Sequence, residues 1–168
     1  MKLNAGSGVG KGKNTKYVNI DILKPKKGVQ GDILHLPFKD NSFDEVKLIH
    51  VLEHVLRHQQ VPCLREMYRV LEPGGVFYVE VPDFLSNCNA LVEAAKLNDH
   101  ETVRILTVGT YGKQRAPGDA HHWGYHAPFL RAQLQEVGFQ GIEQLLREDQ
   151  MVSTHYWAEH IILMKATK

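Results

Sequence analysis

Residues 31–46 read Gly31-Asp32-Ile33-Leu34-His35-Leu36-Pro37-Phe38-Lys39-Asp40-Asn41-Ser42-Phe43-Asp44-Glu45-Val46. Two further blocks follow: His50-Val51-Leu52-Glu53-His54, and Leu64-Arg65-Glu66-Met67-Tyr68-Arg69-Val70-Leu71-Glu72-Pro73-Gly74-Gly75. The first block sets an acid, Asp32, within a short apolar segment (29–34) that reads as a strand. The second closes a strand over Val46 to Val51. The third belongs to a helix over Pro62 to Leu71, with proline in its first turn and Leu64, Met67, Tyr68 and Leu71 at helical spacing. Pro73-Gly74-Gly75 then turns the chain into a strand over Val76 to Val81.

Upstream, residues 2–5 form a short strand running into Gly6-Ser7-Gly8-Val9-Gly10. Residues 17–22 alternate with period two and carry Asp21 at their end. Downstream, the pattern predicts helices over 88–106 and 128–137, the latter stopped by Gly138, and strands over 141–146 and 158–166. Strands alternate with helices through most of the chain. The expected fold is therefore α/β, one domain over 1–168, with a largely parallel sheet and ligand chemistry at the strand carboxyl ends. The links 6–16, 23–28 and 35–45 are short for right-handed crossovers. Helices between strands one and four are thus reduced. Lys2, Asn4, Asn19 and Asp21 alternate with apolar neighbours, which marks a sheet with one wet face.

The three blocks resemble the methyltransferase type 11 branch of the class I S-adenosylmethionine (SAM)-dependent methyltransferases. The similarity runs almost continuously over residues 2–83. It implies a Rossmann-like class I methyltransferase sheet, mostly parallel with an antiparallel last strand, and SAM as cofactor. It also implies where SAM is held: the methionine part by Ala5, Gly6, Ser7 and Gly8, the ribose by Asp21, the adenine by Asp32 and Ile33, and the methionine end again by His50, Val51 and Leu52. Asn4 departs from the pattern, standing where an acid is common.

Methyl transfer from a sulfonium needs alignment, exclusion of water and, for a hydroxyl acceptor, removal of a proton. His122, in the cluster Asp119-Ala120-His121-His122-Trp123-Gly124-Tyr125-His126, and His54 are the expected bases, since histidine titrates near neutral pH. The acceptor is expected to be a small molecule or sugar. His50-Val51-Leu52-Glu53-His54 also matches H-x-x-E-H, so a zinc hydrolase is a minor alternative; on the leading reading no metal ligand is assigned. The glycine loop lacks a clean G-x-G-x-x-G opening a helix, which disfavours a nicotinamide dehydrogenase. Nor does Asn/Asp-Pro-Pro-aromatic follow strand four, as it does in base-modifying amino-methyltransferases.

Net charge is +1, but residues 1–30 carry +6 and the remainder −5. The lysines there (2, 11, 13, 16, 24, 26 and 27) read as solvated, or as a patch for an anionic partner. The second choice sustains a further alternative, a non-enzymatic SAM-fold module binding RNA or protein. No apolar run approaches membrane-spanning length. Cys63 and Cys88 read as free thiols in a cytoplasmic protein. A sheet face without helices suggests a homodimer near strands one, two and four, with Tyr17 and Ile49 adding apolar contact.

Overall fold

The computed structural model describes residues 1–8, 16–23, 25, 27–115, 118–145 and 160–168. Its strands are β1 (Lys2–Ala5), β2 (Tyr17–Asp21), β3 (Val29–Gln30), β4 (Phe43–Ile49), β5 (Leu71–Pro82), β6 (Gln140–Leu145) and β7 (Ile161–Thr167). The helices are α1 (Gln60–Val70), α2 (Phe84–Lys96), α3 (His100–Tyr111) and α4 (Ala127–Val137). The strands form one sheet in the order β3-β2-β1-β4-β5-β7-β6. β1 to β5 pair in parallel, while β7 lies antiparallel to both β5 and β6. The expected mixed sheet with its antiparallel last strand is what the structure has.

Several boundaries differ from the sequence reading, each for a local reason. β3 is only two residues long, because after Gly31 the chain turns and Asp32 accepts the Leu34 N–H at 2.8 Å. β4 begins earlier, at Phe43, and stops at Ile49 because His50 takes a positive φ of 51°. β5 absorbs Pro73-Gly74-Gly75 as an irregularity instead of starting after it. Phe43 pairs with Leu71, Glu45 pairs with Val76, and the Gly74 N–H reaches the Lys168 carbonyl. The helix expected over 88–106 is two helices. Asn98 has φ +55°, and the Asp99 carboxylate accepts the Thr102 N–H to start α3. Residues 158–159 of the expected last strand lie outside the described residues.

The core occupies one face of the sheet. Leu3, Ala5, Ile20, Val46, Leu48, Phe77, Val79, Val81, Ile162, Met164 and Ala166 share that face and are buried. α1 presents Cys63, Leu64, Met67 and Val70 to the core, and α4 presents Leu130 and Leu134. Phe139 stacks on Phe77 at 4.9 Å and meets Tyr68 edge-on at 5.0 Å.

The opposite face is polar. Lys2 pairs with Glu45 at 2.6 Å, Tyr17 donates its hydroxyl to Glu45, and Asn4 donates to Asn19 at 3.1 Å. The Lys47 ammonium sits over the Tyr17 ring at 4.7 Å and the Tyr78 ring at 5.8 Å.

Among the described residues no helix lies between β1 and β4. The last of these links is held instead by Arg69. Its guanidinium donates to both oxygens of Glu66, to Asp40, and to the carbonyls of Leu36 and Phe38. Glu66 in turn accepts the Leu36 N–H at 2.8 Å. Replacing Arg69 by methionine strands two carbonyls and two carboxylates, at a cost of about 2 kcal/mol, the scale of hydrogen bonds to charged groups. Arg69→Lys should recover little, because an ammonium cannot span the fork. Urea unfolding of the three proteins measures this. A lysine variant as stable as the parent would show that charge alone is needed.

Candidate functional site

The carboxyl ends of β1 and β2 are tied together by backbone. Both Gly6 and Ser7 donate their N–H to the Ile20 carbonyl, at 2.9 and 3.0 Å. Gly6 has φ +69°, and a Cβ there would stand 2.3 Å from Val51 Cγ2, so only glycine fits between β1 and the end of β4. Asp21 closes β2, and its carboxylate accepts the N–H groups of Gly8 at 2.8 Å and Leu23 at 3.0 Å.

These groups open on a cleft of about 710 Å³. Of the residues expected at the cofactor, Gly6, Gly8, Asp21, Asp32, Ile33, His50 and Val51 line it, together with His54. Ala5 and Leu52 are fully buried in the core, and Ser7 lies outside the lining. Ile22 and Leu23 line the cleft while 65% and 58% exposed, leaving apolar area that a ligand could cover.

An inner cavity of about 180 Å³ adjoins it and shares His50, His54, Arg115 and Asp119. His50 is the hinge between them. Its backbone turns out of β4, and its ring falls between two carboxylates, Glu80 at 2.8 Å and Glu53 at 3.4 Å. Both glutamates are 1% exposed. Burial alone would push the imidazolium down, but hydrogen bonds and charge from Glu53 and Glu80 outweigh it and raise His50 to about 9.

His54 ends a short 3-10 turn over Leu52–His54, and its Nδ1–H donates to the Ala120 carbonyl at 2.9 Å. That bond leaves Nε2 with the lone pair. The His121 ring meets His54 edge-on at 4.8 Å. Burial lowers the pKa of His121.

His122 is exposed, lines neither cavity, and donates its backbone N–H to the Glu53 carbonyl at 2.8 Å. Its neighbour His121 is the one that faces inward. The H-x-x-E-H helix does not form, because His50 is left-handed and the turn starts only at Leu52. Trp123 packs against Phe129 and beneath the Arg57 guanidinium, an anchoring role. Glu80, His121 and Asp119 were not singled out from sequence. Glu80 had a signal, as a lone acid inside Val76-Phe77-Tyr78-Val79-Glu80-Val81.

Residues 5–79 match a family model described as a methyltransferase domain, which bears out the resemblance seen in the sequence. A 1,6-didemethyltoxoflavin N1-methyltransferase from Burkholderia thailandensis, solved with its substrate and S-adenosylhomocysteine, superposes with a TM-score of 0.64. It is 15% identical, and the alignment covers 99% of this chain and 70% of that one. The chain has the class I methyltransferase fold. An uncharacterised protein of Methanocaldococcus jannaschii is 37% identical over 112 residues, 59% of this chain and 46% of its own length. The demethylmenaquinone methyltransferase of Listeria welshimeri is 53% identical over 47 residues, 28% of this chain and 19% of its own. The chain thus spans less than half the length of these curated relatives.

The glycine loop supplies a paired test. Gly6 and Gly8 both have φ +69°, but only Gly6 faces Val51, whereas a Cβ at Gly8 meets open space. Gly8→Ala should cost only backbone strain, about 1 kcal/mol. Gly6→Ala adds a clash that must displace Val51, so its urea midpoint should fall clearly further. Equal losses would show that Val51 yields freely and that the contact does not fix the cleft wall.

Proposed function

We propose that the chain binds SAM in the outer cleft and transfers its methyl group to a small molecule seated in the inner cavity. The observation that carries this reading is the meeting of the two cavities at His50 and His54, beyond the carboxyl ends of the parallel strands. The outer cleft suits a nucleoside. Asp21 and Asp32 offer carboxylates at its rim, Ile22, Leu23 and Ile33 offer apolar cover, and Gly6 admits close backbone approach. When bound, SAM supplies a methyl group already activated by the sulfonium charge.

The chain's own part is to orient, to exclude water and to take a proton. Asp21 would hold the ribose and Asp32 the adenine. Val51, pressed on Gly6, would form the floor beneath the methionine end. His54 becomes the preferred base, since its Nε2 keeps the lone pair and its side chain borders both cavities. His122, outside both, has no comparable placement. The small inner cavity favours a small-molecule acceptor over a polymer. The names of two relatives, which specify demethylmenaquinone and 1,6-didemethyltoxoflavin as acceptors, support the same class.

The other readings have less support. For an RNA- or protein-binding module, Lys11, Lys13, Lys24 and Lys26 lie outside the described residues, and Lys2 is paired with Glu45. For a homodimer across β1, β2 and β4, the side chains of that face already pair with one another. A cytoplasmic site is the corresponding proposal for location; no described helix is long and apolar enough to cross a membrane.

Calorimetry with S-adenosylhomocysteine tests the cofactor assignment. Asp21→Ala should weaken binding by about 10-fold or more, from loss of hydrogen bonds worth about 1.5–3 kcal/mol. Unchanged affinity would remove Asp21 from the site. Absence of binding by the parent protein would overturn the reading itself.

A further inference from the structure

The floor of the inner cavity holds a group of side chains that cofactor binding does not require. Glu53, His54 and His121 each offer one potential ligand atom, and these three atoms lie within 4.8 Å of one another. Glu53 and His121 line the inner cavity without lining the cofactor cleft. We propose that Glu53, His54 and His121 form a binding site for a divalent first-row transition metal ion such as zinc, at the floor of the acceptor cavity.

Four observations lead there. First, Glu53 Oε2 is buried and has no hydrogen-bond partner. A buried carboxylate oxygen with nothing to accept from is costly, and a cation is the partner that repays most.

Second, the His54 imidazole is oriented as a ligand is, with the His121 ring edge-on to it at 4.8 Å. The Nδ1–H of His54 is held by the Ala120 carbonyl at 2.9 Å. Fixing one ring nitrogen on a backbone carbonyl sets the tautomer and presents the other lone pair.

Third, the charge count leaves room for a cation. Glu53 and Glu80 are both 1% exposed, with the His50 ring between them. Even a fully protonated His50 neutralises only one of the two. Lys113 and Arg115 also line the cavity, but Arg115 is engaged by Asp119 and Lys113 is exposed.

Fourth, the donor set is selective. Two imidazoles and one carboxylate suit zinc and its first-row neighbours, whereas magnesium and calcium prefer all-oxygen cages. Three protein ligands also leave a coordination position open. At the widest separation a central ion would stand about 2.8 Å from each donor, against the roughly 2.1 Å of zinc–nitrogen bonds. Side-chain adjustments of under about 1 Å close that gap.

The position of this site sharpens the function proposed above, and this one step rests on that reading. The open coordination position faces the cavity assigned to the acceptor, so the acceptor class is one that presents an oxygen, a hydroxyl or enol. With metal bound, the His54 lone pair is committed to the ion. Lowering the pKa of the coordinated oxygen then takes the place of proton acceptance by His54.

The experiment titrates the metal-free chain with zinc chloride by calorimetry and with cobalt chloride by visible absorption. The expected result is one equivalent bound, with cobalt d–d bands that zinc displaces. His121→Ala and His54→Ala should each weaken zinc binding at least 10-fold, while His58→Ala, an exposed histidine in the turn before α1, should leave it unchanged. Zinc should also raise the melting temperature of the parent but not of His121→Ala. If Glu53→Gln fails to fold, His121→Ala on the cavity wall carries the test.

S-adenosylhomocysteine binding is measured on the same samples, and His121→Ala should retain it because His121 does not line the cofactor cleft. No zinc binding by a parent protein that binds S-adenosylhomocysteine would overturn the metal site and leave the methyltransferase reading standing. Zinc binding that all three histidine variants share equally would assign it to surface histidines and overturn the site as well. Zinc binding lost in His121→Ala, in a protein that binds no S-adenosylhomocysteine, would uphold the metal site and sink the cofactor assignment.

Discussion

The His50 imidazole, lodged between the buried carboxylates of Glu53 and Glu80, is the contact on which the rest of the site depends. β4 is a regular parallel strand until Ile49, and its next residue adopts φ +51°. That single left-handed residue ends the strand and drops its ring toward Glu80 on the neighbouring β5. The turn it starts aims Val51 at Gly6 and carries Glu53 and His54 to the boundary between the two cavities. Two buried carboxylates without such a partner would be prohibitively costly. The ion pair therefore fixes where β4 stops, and where β4 stops fixes the shape of both cavities.

A second fixed point is the segment after α3. A bridge between Gly112 and Ala120 and the His121 N–H on the Tyr111 carbonyl close a loop whose far side is pinned by the His122 and Trp123 N–H groups on the Glu53 carbonyl. Backbone, not side-chain chemistry, thus decides that His121 faces the cavity and His122 faces solvent. The same pinning ties this wall of the inner cavity to the residue whose carboxylate pairs with His50. The inner cavity is consequently built around Glu53 from two directions, through its side chain and through its carbonyl.

Much of this was legible in the sequence, and what was not has physical causes. The parallel strands, the stop at Gly138 and the acids after β2 and near β3 are written locally, in period-two alternation, glycine and proline. The outer cleft follows from them because those residues lie within a few positions of a strand end. The break of the long helix at Asn98 and Asp99 was also local, but apolar residues at helical spacing on both sides of it masked the capping signal of Asp99 on Thr102. The inner cavity was less legible, because it joins residues far apart in the chain. His54 meets Ala120, and Ser86 meets His160 at 2.7 Å. Adjacent histidines offer no periodicity from which to tell which one points inward. Ala5 and Leu52 show the converse. A family pattern marks positions near a ligand, yet full burial assigns these two to the core that supports it.

The two faces of the sheet bear very different loads. Parallel strands are ordinarily covered on both sides, since their crossovers are helices. Here the covered side holds the aliphatic residues of β1, β4, β5 and β7 against α1 and α4, whereas the other side neutralises itself. Lys47 is only 7% exposed: Tyr17 and Tyr78 flank its ammonium and Glu45 lies 3.7 Å away. A Tyr–Lys–Glu lattice of this kind hides strand backbone from water with side chains that keep their polar ends wet. It removes the need for the helices that the short links cannot supply. The arrangement also explains why the site can rest on short links: what holds the cleft in place is the backbone clasp from Gly6 and Ser7 to Ile20 and the His50 ion pair, neither of which requires a crossover helix.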